Sequence, residues 1–118
     1  MSNNVAIVGC RRFKNYELFK EKIQEWEKIN GKITMIVSGG ASGVDSLAEK
    51  YAKEFNKGII IYKPNWDLYK KAAGILRNTD IINNSDKVIA FPSKMSVGTW
   101  DSVNKAKKAG KEVTIYNI

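Results

Sequence analysis

The sequence predicts an α/β fold in which helices cover both faces of a mostly parallel sheet. Two observations support this prediction. Five apolar runs alternate along the chain with four segments of helical periodicity. Each apolar run is continuous rather than alternating, which is typical of strands that are buried on both faces.

The first half of the chain repeats a strand followed by a helix. The run "NVAIVG" predicts a strand over 4–9, and "NYELFKEKIQEWEKIN" predicts a helix over 15–30 that Gly31 caps. Its apolar residues recur at helical spacing: Tyr16, Phe19, Ile23 and Trp26. A second strand is predicted over 33–38 and a second helix over 43–56.

The second half continues the alternation. Its predicted elements are a strand over 58–62, an irregular segment over 65–74, a helix over 75–84, a strand over 87–91, a helix over 98–109 and a strand over 112–116. Pro64 and Pro92 end the third and fourth strands because proline lacks the N–H that a sheet requires. With right-handed crossovers, this pattern predicts one Rossmann-like domain over 1–118, a five-stranded sheet of order 3-2-1-4-5.

The winding of such a sheet reverses between strands 1 and 4, and ligands bind there, beyond the carboxyl ends of the strands. The segments that follow strands 1, 2 and 4 are unusual: "GCRRFK", "SGGASGVD" and "FPSKMSVGTWD". The turns at the opposite edge are short and plain. We therefore expect the binding site to be built from the three unusual segments.

The turn from Ser38 to Asp45 contains three glycines. Gly39, Gly40 and Gly43 carry no Cβ, so that their backbone N–H groups could converge on an anion at the start of the next helix. The alternative is a capping box formed by Ser42 and Asp45. That alternative leaves Gly39 and Gly40 unexplained, and we expect residues 38–45 to bind a phosphate.

Two further helix starts carry polar groups. Ser96, Gly98 and Thr99 could hold a second anionic group, with ordinary helix capping as the alternative. Arg77 and Asn78 lie in the first turn of the third predicted helix, where a cation is unfavourable to the helix dipole. Arg77 is therefore expected to face a ligand or a buried carboxylate, unless it simply lies on the surface.

The loop after strand 1 and the aromatic residues complete the predicted site. Arg11 and Arg12 leave the strand at the same rim, and only one of them is expected to point inward. Trp66 is the candidate for stacking on a base. Phe13 and Trp100 are expected to pack in the core. Cys10 is expected to be a small buried residue.

Composition limits the chemistry. The chain has 43% hydrophobic and 27% charged residues, as ordinary globular domains do, and it contains one cysteine and no histidine. An internal disulfide, the common zinc sites and histidine-dependent nucleophiles are excluded, and neither a metal nor a cofactor is expected. No secretory leader or apolar run of about 20 residues is present, so we expect a cytoplasmic protein without membrane contact.

The formal net charge is +8, from 20 basic and 12 acidic residues. An anionic partner is the natural inference, and a solvated basic surface is the alternative.

Five segments, "VGCRRF", "SGGASGVDSLAEKYA", "KAAGILRN", "DKVIAF" and "SVGT", together resemble the YspA/YpsA-like (DUF2493) branch of the SLOG superfamily of Rossmann-like nucleotide-binding proteins. The resemblance implies a nucleotide or ADP-ribose-like ligand and assembly into a homo-oligomer. The residues it places around the ligand are Gly9, Arg11 or Arg12, Gly39, Gly40, Asp45, Arg77, Asn78, Ser96, Gly98 and Thr99.

Two related families imply alternative functions. The lysine decarboxylase-like phosphoribohydrolases carry a glutamate at the position of Ser102, so that Asp45 or Asp101 would have to serve as the catalytic carboxylate here. The DNA-processing family DprA is similar in its glycine turn and its Arg-Asn pair, which implies binding of single-stranded DNA. Nucleotide binding for sensing, sequestration or processing is our first interpretation, and DNA binding ranks second.

Overall fold

A computed structural model of the chain describes residues 3–93 and 96–117. Its five strands form one sheet of order 3-2-1-4-5, and every neighbouring pair is parallel. The predicted α/β class, strand number and strand order are confirmed.

The strands and helices follow one another as predicted, with one additional helix. The strands are β1 (Asn4–Gly9), β2 (Met35–Ser38), β3 (Gly58–Ile61), β4 (Lys87–Phe91) and β5 (Glu112–Ile115). The helices are α1 (Tyr16–Asn30), α2 (Val44–Glu54), α3 (Trp66–Tyr69), α4 (Ala73–Asn83) and α5 (Val97–Lys108), with a 3₁₀ turn over Lys70–Ala72.

The core lies in two layers, one on each face of the sheet. Val5 and Ile7 of β1 pack with the apolar faces of α1 and α2, whereas Ala6 and Val8 pack with α4 and α5. Successive side chains of a strand point to opposite faces, so the continuous apolar run of β1 supplies both layers. This explains why the central strands are not amphipathic.

The segment after β3 differs from the prediction. Residues 65–74 were expected to be irregular, but α3 begins there because the Asn65 side chain accepts a hydrogen bond from Leu68 N–H at 3.1 Å. The 3₁₀ turn then leads directly into α4, which begins at Ala73 rather than at residue 75. Asn65 at the helix start was the signal for α3 in the sequence.

The register of the sheet brings the functional loops together. Gly9 at the end of β1 pairs with Phe91 at the end of β4, and Cys10 N–H donates to Phe91 O at 3.1 Å. The loops that follow β1 and β4 therefore start side by side. Among the described residues, none of the helices has both the length and the hydrophobicity that crossing a lipid bilayer requires.

Candidate functional site

A cleft of about 760 Å³ lies at the carboxyl ends of β1 and β4, where the winding of the sheet reverses. Nine of the residues singled out from the sequence line it: Gly9, Arg11, Arg12, Asp45, Arg77, Asn78, Ser96, Gly98 and Thr99. They come from the end of β1 and the loop after it, from the first turn of α2, from α4, and from the loop after β4 with the first turn of α5. Because α4 begins at Ala73, Arg77 and Asn78 lie in its second turn and not in its first, where they were expected. Lys94 and Met95 of the loop after β4 lie outside the described residues.

A second recess, of about 420 Å³, adjoins this cleft. It is lined by Gly39, Gly40, Ser42 and Trp66, together with Lys63 and Pro64. Arg11, Ala41 and Arg77 line both cavities. Sequence reasoning placed the whole glycine turn opposite Ser96 in one crevice, whereas the structure divides that turn between two neighbouring cavities.

The loops after β1 and β2 touch at Gly43. Its φ is +74°, and a Cβ there would lie 2.4 Å from Cys10 O. Val44 N–H donates to the same oxygen at 3.2 Å, and the Ser42 hydroxyl donates to Arg11 O at 3.5 Å. Gly43 and the Val44 amide therefore hold the two loops together, and neither lines a cavity.

The capping box that we considered for this turn is not formed. Helix α2 begins at Val44 with Gly43 as its N-cap, and no side chain caps it. Asp45 turns back instead, and its Oδ2 accepts a hydrogen bond from Ala41 N–H at 3.0 Å.

Arg77 lies between the two cavities and is half-buried. Its Nη1 donates to Gly39 O at 2.8 Å, and its Nε donates to Asn78 Oδ1 at 3.0 Å. A Cβ at Gly39 would lie 2.3 Å from Nη1, so glycine is needed there to admit the guanidinium. Gly39 thus leaves space for the side chain of an arginine that lies 38 residues further along the chain.

Asp45 is 8% exposed, and burial raises the pKa of its carboxyl group, although the Ala41 N–H and the positive charge of Arg77 act in the opposite direction. Burial lowers the pKa of Arg77; Asp45 opposes that shift and Arg11 adds to it. Arginine stays protonated in proteins, so the site carries a fixed positive charge.

Asn78 joins α4 to α5. Its Nδ2 donates to Gly98 O at 3.2 Å and to Asp101 Oδ2 at 3.1 Å. Asp101 also pairs with Lys105 at 2.8 Å, and it is not among the residues that line either cavity. Of the two candidate carboxylates, the structure places Asp45 in the cleft and Asp101 in this interhelical network.

The start of α5 presents its first turn to the cleft. The hydroxyl of Ser96, the N-cap, is engaged with Ser93, whose N–H lies 3.0 Å from Ser96 Oγ. Among the residues that the structure describes, no side chain caps α5, and no acidic residue lies in its first turn. The positive end of the helix dipole therefore faces the cleft, and neither a capping side chain nor a carboxylate of the first turn neutralises it.

Ser102, one turn further along α5, was not predicted as a binding residue. It lines the cleft, is 1% exposed, and its hydroxyl has no hydrogen-bond partner among the described residues. Ser38 is likewise buried with an unpartnered hydroxyl, but it lines neither cavity. The signal in the sequence was the resemblance to the phosphoribohydrolases, which carry a glutamate at the position of Ser102.

The remaining arginines and aromatic residues take mixed positions. Both Arg11 and Arg12 line the cleft, where one was expected. Trp66 is 52% exposed on the second recess. Phe13 packs against the core as expected, whereas Trp100 is 37% exposed and its indole N–H donates to Ser93 O at 3.2 Å. Cys10 is half-buried beside the cleft.

Lys63 is a further cation that sequence reasoning missed. It follows β3, whose carboxyl end lies at the same edge of the sheet as those of β1 and β4. A Cβ at Gly40, whose φ is +71°, would lie 2.8 Å from the Ile61 side chain and 3.3 Å from Lys63. The signal was the position of Lys63 directly after a predicted parallel strand.

Two solved structures share this fold. DNA processing protein A (DprA) from Streptococcus pneumoniae superposes with a TM-score of 0.77 at 23% identity, covering 97% of this chain and 50% of that one. DNA processing protein A from Helicobacter pylori superposes with a TM-score of 0.66 at 25% identity, covering 96% of this chain and 64% of that one. The chain thus spans half to just under two thirds of these structures.

Sequence comparison relates the chain to a phage protein and to a family. The Gene 61 protein of Mycobacterium phage D29 is 30% identical over 118 residues, covering 90% of each chain. Residues 3–69, which include β1, the glycine turn and Trp66, match the family described as the YspA, cpYpsA-related SLOG family. With its strand order, its cleft at the reversal point and this match, the chain belongs to the YspA/cpYpsA-related SLOG family.

Proposed function

We propose that this domain binds a phosphorylated nucleoside, either a nucleotide or an ADP-ribose-like compound, in the cleft beyond β1 and β4. The observation that carries the proposal is the presence of three arginines, Arg11, Arg12 and Arg77, in the lining of the cleft beside an open helix start. Guanidinium groups match phosphate oxygens in charge and geometry. The cleft volume of about 760 Å³ is ample for a nucleotide.

The phosphate of this ligand lies at the first turn of α5. The backbone N–H groups there carry the positive end of the helix dipole. Gly98 leaves room beside them, because a Cβ at that position would meet nothing closer than Asn78 Nδ2, at 3.9 Å. The buried hydroxyls of Thr99 and Ser102 add hydrogen-bonding groups below the phosphate.

The ribose lies towards Asp45. That carboxylate lines the cleft, and the Ala41 N–H holds it in position. An ionised carboxylate accepts hydrogen bonds and donates none. It therefore suits the hydroxyl groups of a sugar, which can donate to it, rather than a phosphate.

The cleft favours binding over cleavage of the ligand. The phosphoribohydrolases that the sequence resembles have a glutamate where this chain has Ser102, and the neighbouring Asp101 is paired with Lys105 outside the cleft. A serine hydroxyl is a weak acid–base group without an adjacent base. We therefore propose nucleotide sensing or sequestration, with Asp45 as the carboxylate to examine for any residual hydrolysis.

Mass spectrometry of small molecules that copurify with the protein tests this function. We expect an adenosine-type or other nucleoside phosphate to be released on denaturation. Titration calorimetry with AMP and ADP-ribose then measures affinity, and chromatography of the recovered ligand shows whether it returns intact. If no nucleotide copurifies and none in a thermal-shift panel stabilises the protein, the proposal fails.

Charge variants locate the binding site. Arg12→Ala removes an exposed guanidinium from the cleft without touching the core, and we expect a loss of about tenfold in nucleotide affinity. Lys108→Ala is the matched control, because Lys108 is exposed at the far end of α5, about 16 Å along the helix from its start. Equal losses in both variants would indicate a nonspecific charge effect.

Binding of single-stranded DNA is the second candidate. The structure of the Helicobacter pylori relative is described in terms of its single-stranded DNA binding mode. The net charge of +8 and the exposed residues Arg11 and Lys63, which share the recess with Trp66, favour such a ligand. Fluorescence anisotropy with oligothymidylates of increasing length decides between the two. Affinity that rises with length and falls steeply with salt supports DNA binding.

We also propose that two copies of the chain associate through α4 and the first turns of α5. Four large apolar side chains are exposed on this face: Ile75, Leu76, Val97 and Trp100. The charged residues of α4 and of α5 up to Lys105 are Arg77, Asp80, Asp101 and Lys105, so these two segments have no net charge, whereas the whole chain has +8. Two like-charged copies therefore meet here with the least repulsion.

A further inference from the structure

The two cavities share a boundary. Arg11, Ala41 and Arg77 line both the 760 Å³ cleft and the 420 Å³ recess. A single extended ligand can therefore enter both, with its middle at these three residues. A mononucleotide in the cleft would leave the recess unused.

The recess combines positive charge with an aromatic surface. Arg11, Lys63 and Arg77 are its charged residues, and no carboxylate is among its described lining residues. Trp66 is 52% exposed, and a Cβ placed at Gly74 of α4 would lie 3.7 Å from its ring. One edge of the indole thus rests against α4 while much of the ring is open to a ligand. Exposed aromatic rings beside cations are platforms for nucleic acid bases.

At the boundary between the cavities, Arg11 and Arg77 can each bind a negatively charged group. Arg77 is held by Gly39 O at 2.8 Å and by Asn78 Oδ1 at 3.0 Å, and these bonds use two of its five N–H groups. Arg11 lies close enough for its charge to act on Arg77, and within the described parts of the chain neither guanidinium has a carboxylate within ion-pair distance. Two guanidinium groups match the two charges of a pyrophosphate.

We propose that the ligand is a dinucleotide whose two nucleosides are joined by pyrophosphate, with one nucleoside in the cleft, the pyrophosphate extending from the first turn of α5 to Arg77 and Arg11, and the second base on Trp66. This inference rests on the proposed nucleotide binding and adds a second base site to it. It also explains why Trp66 is exposed beside a cavity that contains no other aromatic side chain among its described residues.

Titration calorimetry of the full chain with three probes tests the inference. AMP occupies the cleft alone, ADP-ribose adds the pyrophosphate and a second ribose, and diadenosine diphosphate adds a second base. We expect affinity to rise at each step, by roughly tenfold for the second base. Trp66→Ala should remove that last gain while leaving the affinity for AMP and ADP-ribose within twofold of the wild type.

Tyr69→Ala is the matched control, because Tyr69 is an aromatic residue of the same helix, 47% exposed, that does not line the recess. It should leave all three affinities unchanged. Equal affinity for ADP-ribose and diadenosine diphosphate in the wild type, or an equal loss of all three ligands in Trp66→Ala, would overturn the second base site while nucleotide binding stands.

Failure of all three probes would instead overturn the proposed function. A fourth titration, with a twelve-residue oligothymidylate, separates a free dinucleotide from a segment of single-stranded DNA. If the oligonucleotide binds through Trp66 and the dinucleotide does not bind, the dinucleotide proposal is wrong.

Discussion

Gly43 is the residue on which the contact between the loops after β1 and β2 depends. Its φ of +74° and ψ of −128° are accessible to glycine but not to residues with a side chain. A Cβ would also meet Cys10 O and the Arg11 carbonyl carbon at 2.4 Å. Both are backbone atoms, which cannot rotate away as the end of a side chain can.

We therefore predict that Gly43→Ala lowers the free energy of unfolding by at least about 2 kcal/mol. Gly74→Ala is the comparison, because Gly74 is inside α4 and a Cβ there meets only ordinary contacts. That change should raise the free energy of unfolding by roughly 0.5–1 kcal/mol. Urea denaturation measures both. A Gly43→Ala protein with wild-type stability would show that the loops do not need this contact.

Ser38 and Ser102 are both buried, and comparing them distinguishes a packing role from a role in ligand binding. The hydroxyls of Ser38 and Ser102 both lack hydrogen-bond partners among the described residues, and only Ser102 lines the cleft. Neither hydroxyl contributes a hydrogen bond to another described side chain or backbone group within bonding distance, so replacing either serine by alanine should change the free energy of unfolding of the unliganded protein by less than about 1 kcal/mol.

Ligand affinity should distinguish the same two variants. We predict that Ser102→Ala weakens nucleotide binding by roughly fivefold, the typical value of one hydrogen bond, and that Ser38→Ala leaves it unchanged. Thermal unfolding and calorimetry on both proteins provide the two measurements. Identical affinities in the two variants would mean that Ser102 makes no contact with the ligand.

The strands and long helices were predictable because their signals are local. Strand β4 matches its prediction over residues 87–91, since a continuous apolar run ends at Pro92. Helices α1, α2 and α5 lie within one or two residues of their predicted bounds. In each of these helices, burial on one face agrees with the periodicity of the apolar residues, whereas β4 is buried on both faces.

The arrangement of the glycine turn was not predictable because it depends on a distant side chain. Gly39 admits Arg77, which comes from α4, and the guanidinium then divides the turn between the cleft and the recess. The sequence shows both residues but not that they meet. The first turn of α5, in contrast, was recognised because its polar residues follow a predicted strand directly.

Helices α1 and α2 are joined by Glu27 at the edge of the sheet opposite the cleft. Its carboxylate accepts hydrogen bonds from Lys57 Nζ at 2.8 Å, from Ile33 N–H at 2.8 Å and from the Tyr51 hydroxyl. Burial alone raises the pKa of Glu27, but the bonds from Lys57, Tyr51 and Ile33 outweigh it and bring the pKa below its ordinary value of 4.5.

A carboxyl group whose pKa is lowered by folding contributes stability above its unfolded pKa and loses that contribution as the pH falls through its folded pKa. We therefore predict that the advantage of the wild type over Glu27→Gln is about 2–4 kcal/mol at neutral pH and shrinks below pH 4.5. Denaturation by urea at several pH values measures this difference.

Glu21→Gln is the control for that experiment, since Glu21 is exposed on the same helix. It should change the free energy of unfolding by less than about 0.5 kcal/mol at any pH. A constant difference between the wild type and Glu27→Gln across the pH range would contradict an ionised Glu27 as the link between the helices.

At the scale of the whole molecule, the basic groups surround the cleft and the recess, whereas α4 and the start of α5 expose Ile75 and Leu76. The two surfaces adjoin, because Val97 is exposed at the start of α5 and also lines the cleft. A second copy of the chain that covers this face would therefore contact the rim of the ligand site. We expect association and ligand binding to influence each other.

We predict that the wild type forms a dimer at micromolar concentrations and that the double substitution Ile75→Ser and Leu76→Ser makes it monomeric. Ile29→Ser is the matched control, because Ile29 is 78% exposed on α1, away from this face. Sedimentation velocity at several concentrations measures the distribution. A monomeric wild type, or a dimer that survives the double substitution, would rule out this face as the interface.

The lone thiol offers a practical handle. Cys10 is half-buried against the mouth of the cleft, and there is no competing sulfhydryl elsewhere in the sequence. A maleimide dye therefore attaches at a single position beside the cleft. Binding of a ligand there would change the fluorescence emission of the dye. Without any mutagenesis, the natural protein can be converted into an optical reporter of its own occupancy.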